Sequence, residues 1–389
     1  MKQTRMMLHA AVLIFSILVT SPFMHDRIQA VSPEYWPTID WQTATPESHD
    51  MNVTLLEEME AYINDSSWSE DIISLLIVHG GYLVYENYFG QPENSDVANE
   101  IHSCTKSVTS LLVGIAIAQG HIGGVDEFVL DYFPDRTFEN MDSRKEAITI
   151  EHLLTMTSGL PWEENEYGAL VSSPDWVKWV LDRPMEYAPG ETWVYNTGGS
   201  HLLSAIVSEA AGQNTTVFAD EFLFSPLGIT YWWWPGDPQG AAMGGSDLYL
   251  RPRDIAKIGY LCLRGGVWDG QIIVPHSWLV TSTSCQYTFH PTPGSAGYGY
   301  QWWVYPHVGA YAARGWLGQF IWVVPNHDLV VVITGDSNAI QHHMIVENFI
   351  IPSTPSLPPP LNPVIMILPA SLGIVIGAVL ISVFWKRRR

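Results

Sequence analysis

Apolar and polar positions divide the chain into a long middle of mixed character and two strongly apolar ends. The middle opens with Leu55, Leu56, Met59 and Ile63 at helical spacing, the mark of one buried stripe. Ile72 to Val78 then runs apolar, His79-Gly80-Gly81 interrupts it, and Tyr82 to Phe89 follows, which predicts a β-hairpin with glycines at its turn. From Val108 to Ala118 the pattern is that of a core helix. Short helical segments are predicted at Gly120 to Pro134 and Ile148 to Thr155, the latter ending in Thr157-Ser-Gly-Leu-Pro161. Asp175 to Leu181, His201 to Ala211, Phe218 to Phe224 and Arg253 to Arg264 continue the helical middle, broken by Pro184, Pro189 and Pro226. The character then changes. Tyr298 to Tyr305, Tyr311 to Val324 and Leu329 to Thr334 are rich in β-branched and aromatic residues and predict three antiparallel strands. Gln341 to Ile350 closes as a helix. Strands at both ends around a helical middle predict an α+β fold, one antiparallel sheet assembled from distant parts of the chain and packed by helices.

The two ends carry a different message. Lys2 and Arg5 precede an apolar run from Met6 to about Met24, and Ile28-Gln29-Ala30 follows; residues 1–30 read as a signal peptide or a retained N-terminal anchor. Residues 364–385 are uncharged and apolar, and at about 1.5 Å per residue they span roughly 33 Å, a bilayer core. Trp385 and the basic tail 386–389 suit a cytoplasmic stop, and the proline-rich stretch 352–363 reads as a linker. The expectation is a folded domain over 31–351 held outside the cell by one C-terminal transmembrane helix in the cell membrane, with the C-terminus cytoplasmic.

Composition narrows the partners. With 389 residues, 47% of them hydrophobic, the chain has material for a full core. Its formal net charge is −22, and six of its bases lie at the extreme ends, so nucleic acid is not an expected partner. Cys104, Cys262 and Cys285 are too few for a disulfide framework and match no metal-site spacing; a Cys262–Cys285 bridge and free thiols both remain open.

One charge interrupts the apolar helix. Only Lys106, Lys145, Lys178 and Lys257 lie between the hydrophobic ends, and an unpartnered buried ammonium tends to lose its proton. Ser103 stands three positions earlier, on the same helix face, and a serine beside a deprotonatable amine is an activated nucleophile. The bland alternative is a capping serine with a lysine snorkelling along the helix. Tyr195, after Pro189-Gly190 and before Gly198-Gly199, is the best candidate to pass protons with the amine; its alternative is core packing. Ala312 to Gln319 places Gly315 and Gly318 among large side chains, which marks either a close backbone approach or a β-bulge. His152, His201 and the His342-His343 pair have no carboxylate partner in sequence reach, and neither an HExxH nor a Gly-x-Ser-x-Gly pattern occurs, which argues against a zinc hydrolase and an α/β-hydrolase.

Five motifs in order carry a resemblance: Ser103-Cys-Thr-Lys106, Ile150 to Gly159, Pro189-Gly190 leading to Tyr195-Asn-Thr197, Leu248 to Gly259, and Gly315-Trp-Leu-Gly-Gln319. From about Asp71 to Ile350 the chain resembles the serine β-lactamase-related family, which includes class C β-lactamases, D-alanyl-D-alanine carboxypeptidases, esterases and 6-aminohexanoate-dimer hydrolases, the last through the Gly-x-x-Gly-Gln strand. The resemblance implies a β-lactamase/transpeptidase-like fold, an antiparallel sheet flanked by helices with a helical insertion. It implies Ser103 as the acylated nucleophile, Lys106 and Tyr195 sharing proton transfer, and the Ser103 and Trp316 N–H groups as oxyanion hole, without metal or organic cofactor. Tyr167, Thr197, Arg314 and Gly315 are candidate substrate contacts, and Tyr231 to Trp234 line either the acyl pocket or the core.

Two departures bear on the substrate. Thr197 stands where class C enzymes have asparagine, with Asn196 one place early, and Ala313-Arg314-Gly315 replaces Lys-Thr-Gly. A small-molecule or peptide-like ester or amide is therefore the expected substrate. A penicillin-recognising D-alanyl-D-alanine peptidase or β-lactamase, and a non-catalytic cell-surface binding module of this fold, are the alternatives.

Overall fold

In the computed structural model, residues 35–89, 95–289 and 296–355 are described. β1 (Ile72–His79) and β2 (Tyr82–Tyr88) form the predicted hairpin. Its turn residues Gly80 and Gly81 have φ of 60° and 88°, a region glycine enters without strain. β3 (Asn99–Glu100), β4 (Trp232–Trp233) and β5 (Tyr249–Leu250) make a small ribbon, and β6 (Val267–Trp268) pairs with β7 (Gln271–Ile272). β8 (Tyr287–Thr288), β9 (Gly297–Tyr298), β10 (Trp303–Tyr305), β11 (Ala310–Gly315), β12 (Gln319–Val324) and β13 (Leu329–Gly335) complete the main sheet. Its eight strands run β2-β1-β13-β12-β11-β10-β9-β8, and every neighbouring pair is antiparallel.

Side-chain alternation along the central strands divides them between two cores. Leu76, Val78, Ile321, Val323, Val330 and Val332 face the core that holds the Cys104–Ala118 and Thr197–Ala211 helices. Their neighbours Leu75, Ile77, Trp322, Val324, Val331 and Ile333 face the core built with the Val53–Asn64 helix and the C-terminal segment of Ile345, Val346 and Ile350. With both faces covered, β13 is buried along its whole length. The helical insertion between β2 and β8 supplies the first core and, as described below, most of the site.

Several predicted elements shift. Tyr298 to Tyr305 is a hairpin, β9 and β10, because Gln301 turns with φ 65° and Gly299 N–H donates to Trp302 O at 2.8 Å. Tyr311 to Val324 is likewise two strands, broken at Leu317 (φ 59°) and Gly318 (φ 88°). Gly120 to Pro134 keeps only a 3-10 turn at Val129–Tyr132, since Gly120 at φ 77° ends the preceding helix. The transmembrane helix expected as part of the architecture is corrected: among the described residues, no helix is long and apolar enough to cross a membrane. Residues 364–385, residues 1–30 expected as a signal or anchor, residues 386–389 and most of the expected linker lie outside the described residues. Ile351–Ser353 is still helical, and Ser353 and Thr354 are buried.

The Cys104–Ala118 helix is buried on every side from Cys104 to Ala116. Its polar groups are directed inward: Ser107 Oγ donates to Gln301 O at 2.7 Å and Thr109 Oγ1 to Gly244 O at 2.8 Å. Gly114 lies under the Trp278 ring, where an added Cβ would sit 2.4 Å from ring carbons. The ring is not the far end of a flexible chain, so Gly114→Ala is expected to destabilise by about 1–3 kcal/mol, read as a lowered melting temperature. An unchanged melting temperature would mean that the ring can move aside.

Candidate active site

The chain leaves β3, turns through His102 at φ 46°, and enters the Cys104–Ala118 helix with Ser103 at the N-cap. The first N–H groups of a helix have no intrahelical acceptor and face the positive end of its dipole, so Ser103 sits where negative charge is tolerated. Lys106 follows one turn later and is 1% exposed. Its Nζ is 2.9 Å from Ser103 Oγ, 2.9 Å from Thr197 Oγ1 and 2.8 Å from Gly245 O. Gly245 is glycine for a steric reason: a Cβ there would lie 2.7 Å from Thr197 Cγ2 and 3.4 Å from Lys106 Nζ.

Burial sets the protonation states. Desolvation lowers the Lys106 pKa from 10.5 to about 8, against the pull of Glu164, Cys104 and Asp247, which favour its charge. A substantial neutral fraction is therefore present at mildly alkaline pH. Tyr195, packed against Trp193 and Trp303, is moved the other way: burial raises its pKa, partly offset by its hydrogen bond with Ser103. Its phenol keeps its proton wherever Lys106 can be neutral, and the ring centroid lies 4.7 Å from Nζ. Of the two, Lys106 is the group that burial moves toward its neutral form.

The glycine of β11 reflects close approach. A Cβ on Gly315 would stand 2.4 Å from Ile101 O, so the end of β11 lies against the backbone two residues before Ser103. Trp316 follows at the turn, 60% exposed, with its ring edge-on to His102 at 5.5 Å. Arg314 lines the cavity with its guanidinium 4.7 Å over the Trp303 ring and donates to Tyr305 OH at 3.4 Å. The cavity has a volume of about 1250 Å3, and Ser103, Tyr195, Thr197 and Tyr167 also line it. Tyr167 OH donates to the Asp247 carboxylate. Asp247 neighbours Glu100, and burial first, with the Glu100 charge, raises the Asp247 pKa.

Gly315 and Trp316 border the cavity too, and Lys106 stands behind Ser103, so the residues singled out from sequence converge on one place. Two change meaning. Thr197, expected as a substrate contact, bonds Lys106. Asn196 faces away; its Oδ1 accepts from Gly199 N–H at 2.7 Å as helix cap, and its Nδ2 donates to Leu160 O. Of the aromatic run, Trp234 is buried while Tyr231 and Trp233 are 53% and 58% exposed, and Trp233 joins the cavity wall. His201 does have a carboxylate, Asp237 at 3.1 Å, both side chains fully buried. The three cysteines are free, Cys104 and Cys262 buried and Cys285 exposed. Among the described residues no group of His, Cys, Asp or Glu is placed to hold a metal ion.

Sequence reasoning missed Glu164, whose Oε1 and Oε2 accept from Thr197 Oγ1 at 2.9 and 3.0 Å. It also missed Gly245, Glu100 and Asp247. The pair Gly244-Gly245 is a visible signal of close approach; the carboxylates have none, because they arrive on short or irregular segments.

The Beta-lactamase family model matches residues 72–340. An uncharacterized protein of Alkalihalophilus pseudofirmus is 27% identical over 304 residues, 67% of this chain and 82% of its own. Esterase EstB of Burkholderia gladioli is 28% identical over 155 residues, 36% of this chain and 39% of the esterase. A solved structure from Bacillus anthracis, assigned as a 6-aminohexanoate-dimer hydrolase, superposes with a TM-score of 0.67 at 20% identity, covering 82% of this chain and 89% of that one; at that identity the likeness concerns the fold.

Lys106 holds its proton less tightly in the folded chain, near 8, than at its ordinary value of 10.5. Between those values the unfolded chain binds more protons, so the site's contribution to stability rises with pH and is least favourable below about 8. Relative to Lys106→Met, the protein is expected to gain on the order of 3 kcal/mol between about pH 7.5 and about pH 10.5, read from denaturant unfolding at both. A flat difference would show that the amine is not desolvated.

Proposed function

Since the chain belongs to the beta-lactamase family, we propose that it is a serine hydrolase that cleaves an ester or amide through an acyl-enzyme on Ser103. The observation that carries this reading is the buried Lys106 amine, 2.9 Å from Ser103 Oγ, with its pKa lowered to about 8.

The neutral Lys106 amine takes the Ser103 proton as Oγ bonds to the substrate's carbonyl carbon. The carbonyl oxygen gains negative charge between the N–H groups of Ser103 and Trp316, each such donor being worth on the order of 3 kcal/mol in the transition state. When the tetrahedral intermediate collapses, the bond to the leaving oxygen or nitrogen breaks. That atom takes up a proton from the Lys106 and Tyr195 pair, leaving the amine neutral and Ser103 acylated. Water then adds to the ester carbonyl, gives its proton to the amine, and Ser103 Oγ leaves with a proton returned to it. No step calls for a metal or an organic cofactor.

Charge around the cavity favours an uncharged or cationic ester or amide over an anionic β-lactam. Glu100, Glu164 and Asp247 line it against the single guanidinium of Arg314, which already stacks on Trp303. Ala313, at the position of the β-lactamase motif lysine, is fully buried. Relatives point the same way in name: EstB is called an esterase, and the Bacillus anthracis protein a 6-aminohexanoate-dimer hydrolase.

A fluorophosphonate probe is expected to label Ser103, located by peptide mapping. Ser103→Ala is expected to lose labelling and at least about a thousandfold of p-nitrophenyl ester hydrolysis. In the wild type, kcat/KM is expected to rise with pH through about 8, the Lys106 value. A chain that neither labels nor turns over any ester or amide of a chromogenic panel would be a binding module, and this reading would fall.

A further inference from the structure

The hydrogen bonds around Lys106 have only one consistent direction, and a residue outside the catalytic trio imposes it. Gly245 O can only accept, so Lys106 Nζ donates to it at 2.8 Å. Thr197 Oγ1 has one proton and two partners, Lys106 Nζ at 2.9 Å and the Glu164 carboxylate at 2.9 and 3.0 Å. A carboxylate oxygen can only accept, so the threonine proton goes to Glu164 and Oγ1 must accept from Lys106. A neutral amine has two N–H bonds and one lone pair. With both N–H bonds committed to Gly245 and Thr197, the lone pair is left for the third neighbour, Ser103 Oγ, at 2.9 Å.

We propose that Glu164 is a positioning residue which, by fixing Thr197 as a hydrogen-bond acceptor, aims the Lys106 lone pair at the Ser103 hydroxyl. This rests on Ser103 and Lys106 acting as nucleophile and base. The carboxylate is itself held in place, because Trp162 Nε1, which can only donate, gives its proton to Glu164 Oε1 at 2.7 Å. The arrangement accounts for a threonine where better-known relatives have asparagine. A hydroxyl passes on a direction set by its other partner, and here that partner is an anion. An amide in place of the carboxylate would lose the constraint: its nitrogen could donate to Thr197 Oγ1, the threonine proton would turn toward Lys106, and the lone pair would be drawn away from Ser103.

The groups facing Lys106 are Glu164, Asp247, Cys104 and the Tyr195 ring, so the pH dependence separates a positioning role from a merely structural one. Glu164→Gln removes a negative charge that supports the Lys106 proton. The acid limb of kcat/KM is therefore expected to move to lower pH, while the high-pH plateau falls by up to about a hundredfold as the base loses its aim. The decrease should lie in kcat, with KM little changed, and Glu164→Asp should recover part of it. Thr197→Val should lose activity as Glu164→Gln does, and Thr197→Ser, which keeps the hydroxyl, should recover part of that loss.

A plateau equal to wild type in Glu164→Gln overturns the proposal, as does a reduced plateau with an unmoved acid limb or a change confined to KM. Wild-type protein tested in parallel with the fluorophosphonate probe keeps the two claims apart. Labelling of Ser103 in both proteins with equal rates removes Glu164 alone, whereas no labelling in wild type removes the nucleophile assignment beneath it.

Discussion

The candidate site depends on an amine placed where water cannot reach it. Lys106 sits in a helix that is buried all round, and moving its charge out of water costs several kcal/mol that no full countercharge offsets. The neighbours are instead two hydroxyls and one carbonyl, enough to order a neutral amine and too few to make an ammonium comfortable. The rest of the scaffold serves this compromise. Gly245 is stripped of its side chain so that its carbonyl can reach the amine, and Ser107 and Thr109 direct their hydroxyls to backbone oxygens, so that neither of these two competes for the lysine.

A similar constraint governs how Ser103 meets the cavity. The helix start is pinned by β3 and β5, where Ile101 N–H donates to Leu248 O, and the end of β11 lies so near Ile101 that only glycine fits. Backbone contact, not side-chain contact, thus aligns the N-terminus of the helix with the turn after Gly315. Side chains are freed to shape the wall, with carboxyl groups of Glu100, Glu164 and Asp247 on the same cavity as the exposed rings of Trp233 and Trp316.

Much of this is legible in the chain. The hairpin of β1 and β2, the core helix after Ser103 and the buried strand β13 follow from period and glycine placement, and Ser103, Lys106 and Tyr195 are picked out by a lysine out of place together with the motif resemblance. What escapes has physical causes. Aromatic and β-branched residues continue across the turns at Gln301 and Leu317, and neither position is a glycine although both adopt positive φ, so the pattern predicts one strand where two occur. Glu164 and Asp247 belong to segments without periodicity, and only the tertiary fold brings them beside a residue far away in sequence. Asn196 and Thr197 are adjacent, and which of the two faces the lysine is fixed by the helix that Asn196 caps.

The sheet also orders events in time. β1 lies between β2 and β13, so residues 72–79 are paired on one side by their immediate successors and on the other by residues 329–335. At a synthesis rate of about 5–20 residues per second, the N-terminal hairpin waits on the order of ten seconds to a minute for its second neighbour. Through that interval β1 presents an open, strongly apolar edge, the kind of template that recruits foreign strands. The helix bearing Lys106 cannot be enclosed until β11 and β12 arrive behind it. Enclosure of Lys106 is thereby tied to the arrival of residues 310–324, and a nascent or truncated product that lacks them would carry the serine and the lysine without their dry environment.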